Sequence, residues 1–116
     1  MLHTNLKHLE TSEEIQGALE NNANVVICCG RMGPMCTPVY TILSQLKVQY
    51  PHVCVYDQDF DTQAARFIKC LPECASFRGL PFTVYFKSSK VVAATTSIQT
   101  RGQITEILDR VFSPHS

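Results

Sequence analysis

The chain has no surplus charge of either sign: ten Lys and Arg stand against ten Asp and Glu, for a formal net charge of zero. A surface that holds a phosphate backbone needs a basic excess, so nucleic acid is not an expected partner. There is no apolar run long enough to cross a bilayer and no charged-then-apolar leader, so neither membrane nor export is expected. Repeats, low-complexity tracts and linker-like stretches are also missing. Zinc would need four converging ligands, and no C-x-x-C pair or His spacing supplies them, so no metal or other cofactor is expected. What is present is a chain of 116 residues that is 45% hydrophobic, enough for one core. Residues 1–116 are expected to form a single soluble, cytoplasmic domain.

Six cysteines are conspicuous at this length. Their uneven spacing, in a chain with apolar residues to spare, favours reduced thiols over a secreted disulfide scaffold.

The apolar pattern alternates between strand and helix lengths. Leu6-Lys7-His8-Leu9 suits a short edge strand. Thr11-Ser12-Glu13-Glu14 offers a helix cap with acids in the first turn, followed by Ile15, Ala18 and Leu19 at helical spacing and closed by Asn21-Asn22. Asn24 to Cys29 is a continuous apolar run, as in a strand buried on both faces, and it ends at Gly30. Val39, Leu43, Leu46 and Tyr50 then share a helical face until Pro51 forbids continuation. Val53 to Tyr56 reads as a buried strand, and Asp57, Asp59 and Asp61 read as the solvated turn after it. That turn has only the first three positions of a calcium loop, without the later glycine and glutamate.

Gln63 to Ile68 suits a short helix, interrupted by Cys70-Leu71-Pro72-Glu73-Cys74. Phe82 to Phe86 is aromatic and β-branched, hence a strand, and Val91 to Thr96 pairs back across Lys87-Ser88-Ser89-Lys90 as a hairpin. Gly102 to Phe112 closes the chain as a helix with Ile104, Ile107, Leu108 and Val111 on one face. The expected fold class is α/β, in the order β-α-β-α-β-α-β-β-α, with a central mixed sheet flanked by helices. His3, His8, His52 and His115 stand singly and read as surface or turn residues.

Three features in this order resemble the thioredoxin family over nearly the whole chain. A strand leads through Gly33-Pro34 into a helix that a cysteine opens; Arg78-Gly79-Leu80-Pro81 stands where the family carries a cis-proline; and "VVAATTSIQTRGQITEILDRVF" is similar to the family's closing hairpin and helix. The resemblance implies a thioredoxin-like fold and dithiol chemistry, in which one thiolate attacks a substrate disulfide and a second thiol resolves the mixed disulfide. Here that apparatus is degenerate. Counted back from the helix, Cys36 takes the resolving position and Gly33 the nucleophile's; if the Gly-Pro pairs are matched instead, Met32 takes it and Met35 is an insertion. Neither register restores a C-x-x-C. Met32 also stands for the family's tryptophan and Ile27 for its buried acid. A monothiol glutaredoxin would lose the other cysteine, so iron–sulfur carriage is not expected.

Two functions from different classes follow. In the first, the chain is a redox-inactive or weakly active module that binds a partner protein through Met32, Gly33, Pro34, Met35 and Cys36 together with Leu80 and Pro81; Met32 and Met35 make an adaptable apolar surface. In the second it is a thiol–disulfide oxidoreductase acting on disulfide-containing proteins. Cys36 attacks, favoured as thiolate ahead of a helix that Thr37-Pro38 would start, and Cys70, Cys74 or Cys29 resolves. Cys36 is either reactive or an inert buried residue. Cys70 and Cys74 are either unpaired, bridged to each other or to Cys36, or, least in keeping with the spacing, metal ligands. Cys28, Cys29 and Cys54 read as core fillers.

Overall fold

The computed structural model describes residues 2–112, and the expected surface histidine His115 lies outside them. Strand β1 (Lys7–His8) is followed by helix α1 (Ser12–Asn21), β2 (Asn24–Gly30), α2 (Thr37–Gln49) and β3 (Cys54–Asp59). A 3-10 turn (Gln63–Ala65) runs into the one-turn helix α3 (Arg66–Lys69), and a second 3-10 turn (Pro72–Cys74) precedes β4 (Phe82–Lys87), β5 (Lys90–Thr96) and α4 (Arg101–Val111). The sheet order is β1-β3-β2-β4-β5, with β1, β3 and β2 parallel and β4 and β5 antiparallel. This is the mixed, helix-flanked sheet expected from the alternation of elements.

Local chemistry accounts for the boundaries. Thr11 caps α1 by accepting a hydrogen bond from the Glu14 N–H at 3.1 Å. Thr100 and Gln103 form a capping box at the start of α4. Ser88 and Ser89 both have positive φ, as the tight turn between two antiparallel strands demands.

Side-chain alternation along β2 divides the core into two layers. Val26 and Cys28 face α2 and α4, packing with Val39, Leu43, Leu46, Ile104 and Leu108. Val25, Ile27 and Cys29 face α1 and α3, with Ile15, Leu19, Ile68, Val84 and Phe86. Both faces are covered, which is why the run carries no polar alternation. Cys28 and Cys29 are therefore fully buried in opposite layers.

Three expectations need correction. Asp57 and Asp59 belong to β3, not to a solvated turn, because parallel pairing to β1 and β2 extends the strand past Tyr56. Asp57 is fully buried. His8 is no isolated surface residue: its Nδ1 lies 2.6 Å from Asp57 Oδ1, across the β1–β3 pairing. Cys54, at the start of β3, is only half-buried.

Candidate functional site

The Gly-Pro turn joins the C-terminal end of β2 to α2. The Gly33 carbonyl accepts hydrogen bonds from Cys36 N (3.2 Å) and Thr37 N (2.9 Å), folding Pro34 and Met35 outward. Cys36 holds the N-cap position of α2 in a right-handed helical conformation, and Pro38 occupies the first turn. The Cys36 carbonyl in turn accepts from Val39 N and Tyr40 N.

Inside this turn lies Gly30, the last residue of β2. A Cβ there would meet Tyr40 Oη at 2.7 Å, Cys36 Sγ at 2.9 Å and Pro81 Cβ at 3.0 Å. Only glycine lets these three groups converge on the strand end. The Tyr40 hydroxyl donates to the Arg31 carbonyl (3.1 Å), and the Arg31 N–H donates to Cys36 Sγ (3.5 Å). Cys36 is 3% exposed. Beneath it, Thr83 Oγ1 donates to Cys28 Sγ at 3.6 Å. Burial pushes the Cys28 thiol well above its ordinary range, and the hydrogen bond from Thr83 offsets part of that rise.

Opposite the turn, the Leu80–Pro81 peptide bond is cis. The loop is tied to the end of β5, where Ser97 N donates to the Pro81 carbonyl (3.0 Å) and Thr96 Oγ1 donates to the Gly79 carbonyl. Pro81 is buried and Leu80 half-buried. Met32 and Met35, by contrast, are 45% and 44% exposed, on either side of Gly33-Pro34.

Arg31 frames the other flank. Its guanidinium makes a two-point ion pair with Asp61 (2.7 and 2.8 Å) and lies 5.3 Å from the Phe60 ring, over which Lys69 Nζ also sits at 4.0 Å. The Arg31 hydrogen bonds hold the Asp61 carboxyl below its usual range. Both side chains are more than half exposed, so the pair orients the flank more than it stabilises the fold.

Of the cysteines named as resolving partners, none shares the Cys36 layer. Cys29 and Cys74 are buried in the layer against α1 and α3, and Cys70 is exposed beyond α3. All six cysteines are free thiols, so Cys70 and Cys74 form no bridge with each other or with Cys36. Burial pushes the Cys29 thiol up to about 12 and raises that of Cys74. Cys28 is the thiol that packs in one cluster with Cys36. Among the described residues no group of His, Cys, Asp and Glu is arranged to hold a metal ion, and no helix is long and apolar enough to cross a membrane.

Sequence reasoning missed Gly30 and Tyr40. Gly30 stands where an apolar strand meets the turn, a position at which an interior glycine signals close backbone approach; that signal was present. Tyr40 gave none, since at helical spacing it is indistinguishable from any core aromatic.

No family model matches the sequence, and no curated protein matches it. Solved structures do. Thioredoxin O2 from Arabidopsis thaliana is similar over 97% of this chain and 98% of its own, at 14% identity and a TM-score of 0.75. Mitochondrial thioredoxin 3 from Saccharomyces cerevisiae covers 91% of this chain and 95% of its own, at 19% identity and a TM-score of 0.75. Fasciola hepatica thioredoxin covers 90% and 98%, at 18% identity and a TM-score of 0.75. Sheet order, the two helix layers and these superpositions agree: the chain has the thioredoxin fold.

Proposed function

We propose that this protein is a binding module on a thioredoxin fold, and that the Met32–Cys36 turn and the Leu80–Pro81 loop hold an extended segment of a partner protein. The observation that carries this reading is an inversion of exposure. The sulfur that would do thiol chemistry, Cys36 Sγ, is buried at the strand end, where it converges on Gly30 together with Tyr40 and Pro81, while the apolar side chains of the turn, Met32 and Met35, face solvent. Exposed methionines on a held turn make an adaptable contact surface. The test is a pull-down from cell extract with the Met32→Asp, Met35→Asp double variant. Loss of the partners captured by the unaltered protein supports the reading, and an unchanged set rejects it.

The N-cap position of Cys36 on a helix of 13 residues favours a second reading, a thiol–disulfide oxidoreductase in which this thiol attacks once the turn opens. Alkylation under native conditions separates the two readings. Cys36 that labels only after denaturation supports the module, whereas rapid labelling near neutral pH, together with loss of disulfide-reducing activity in Cys36→Ser, supports the enzyme.

A further inference from the structure

Oxidisable sulfur is presented at the turn by two thioethers and not by the thiol. Met32 and Met35 are 45% and 44% exposed, and Cys36, the residue after Met35, is 3% exposed. Met32 Sδ also accepts a hydrogen bond from His3 N at 3.4 Å. It is thus a point of contact between the turn and the arm before β1, which buried Leu2 and Leu6 anchor on the α2 layer. Attack by an external oxidant is governed by access to the sulfur, so the burial that silences Cys36 leaves the methionines as the reactive atoms here.

We propose that Met32 and Met35 form a reversible oxidative modification site, at which a hydroperoxide converts the exposed thioethers to sulfoxides and so removes the apolar surface of the turn. In each step a lone pair on Sδ attacks one peroxide oxygen. The S–O bond forms and the O–O bond breaks. The thioether loses two electrons, and hydrogen peroxide is reduced to one water, the departing hydroxide taking the proton of the transferred oxygen. The product is polar and chiral, and methionine sulfoxide reductases, one for each sulfoxide epimer, return it to the thioether with two electrons from a thiol reductant, the oxygen leaving as water. At Met32 the sulfoxide replaces a weak sulfur acceptor with a strong oxygen acceptor, so the His3 amide contact must rearrange. At both positions a strongly hydrated oxygen stands where an apolar partner segment would have to displace water.

The significance of the switch rests on the partner-binding reading, but the test does not. The full chain in the Cys70→Ser background, which removes the exposed thiol, is treated with hydrogen peroxide at neutral pH beside N-acetylmethionine amide. Oxidation is mapped by peptide mass, and surface apolarity is read from anilinonaphthalene sulfonate fluorescence. The expected result is one added oxygen at each of Met32 and Met35, at no less than about a third of the model compound's rate, with Cys36 still a free thiol. Dye fluorescence falls in step, the His3 amide resonance shifts, and the two epimer-specific methionine sulfoxide reductases together, supplied with a dithiol reductant, restore both. In the Met32→Leu, Met35→Leu variant, which keeps an apolar turn without sulfur, peroxide leaves the fluorescence unchanged. Slower oxidation of both methionines, or oxidation of Cys36 ahead of them, overturns the modification site. Full sulfoxide formation without a fall in fluorescence overturns the switch. An unchanged set of captured partners with the Asp variants rejects partner binding alone and leaves these outcomes as they stand.

Discussion

His8 Nδ1 and Asp57 Oδ1 lie 2.6 Å apart, joining the two-residue edge strand β1 to a carboxylate that is fully buried in β3. Thr4 Oγ1 donates to the other carboxylate oxygen, and Leu9 N donates to the Asp57 carbonyl at 2.9 Å. The arm before α1 is therefore held by one buried acid as well as by Leu2, Leu6 and Leu9. Burial raises the Asp57 pKa, and the hydrogen bonds from Thr4 and His8 oppose that rise without cancelling it.

A pH dependence follows from the direction of that shift. Below the ordinary carboxyl value of 3.8 the group is protonated in both states. As pH rises, the unfolded chain ionises first while the folded protein retains the proton. The Asp57 contribution to stability therefore falls as pH climbs from 3.8 through the raised folded value. Asp57→Asn abolishes that leg. Urea midpoints between about pH 3.5 and 5.5 are expected to fall more steeply in the wild type than in the variant. Parallel profiles would show that Asp57 titrates normally.

Removing the other half of the pair tests its strength. His8→Ala leaves the buried carboxylate with Thr4 alone. Charge-assisted hydrogen bonds of this kind contribute about 1.5–3 kcal/mol, and the His8 side chain is 27% exposed, so solvent screening places the loss near the lower end, about 1–2 kcal/mol. Denaturant unfolding measures it. A loss below about 0.5 kcal/mol would mean that the pair orients β1 without stabilising it.

The sequence carried the parts of this molecule whose cause is local. The run from Asn24 to Cys29 is apolar because β2 is covered on both faces. Thr11 stands at a helix start because its hydroxyl satisfies a free N–H group, and Ser88-Ser89 turns where the strand pattern reverses. The Gly-Pro turn and the Leu80-Pro81 loop were legible as a pair by resemblance. Asp57 was not, because an alternating Asp series looks the same whether it faces water or a histidine 49 residues away. The burial of Cys36 was equally hidden. It is decided by Gly30, Tyr40 and Pro81, three residues from separate elements that converge only in the folded chain.

That convergence predicts a strong effect from the smallest possible change. Gly30→Ala places a methyl group within 3.0 Å of Tyr40 Oη, Cys36 Sγ and Pro81 Cβ, so at least one of them must move. Overpacking of this kind costs about 1–3 kcal/mol. The expected outcome is a lower thermal midpoint together with faster alkylation of Cys36 in the native protein. Tyr40→Phe in the same background removes the nearest of the three atoms and restores part of the loss, a coupling that a double-mutant cycle reads directly. Unchanged stability and unchanged Cys36 labelling would show that the crevice has room that the geometry denies.

The buried thiols predict the alkaline limb. Cys29 is fully buried and holds its proton up to about 12, against an ordinary value of 9.0. Below pH 9 the group is a thiol in both states and contributes no pH dependence. Above it the unfolded chain releases the proton and the folded chain does not, so stability falls as pH rises from 9 towards 12, by about 1.4 kcal/mol per pH unit for each such group. Cys28, in the opposite layer, is shifted in the same direction and adds to the slope. Cys29→Ala leaves a small cavity, which lowers stability at every pH, but it removes one titrating group. Unfolding in urea at about pH 8, 9.5 and 10.5, with reductant present, should therefore show two curves that converge as pH rises. A constant separation would mean that Cys29 ionises in the folded protein as readily as in the unfolded chain, and that water reaches the sheet layer against α1 and α3.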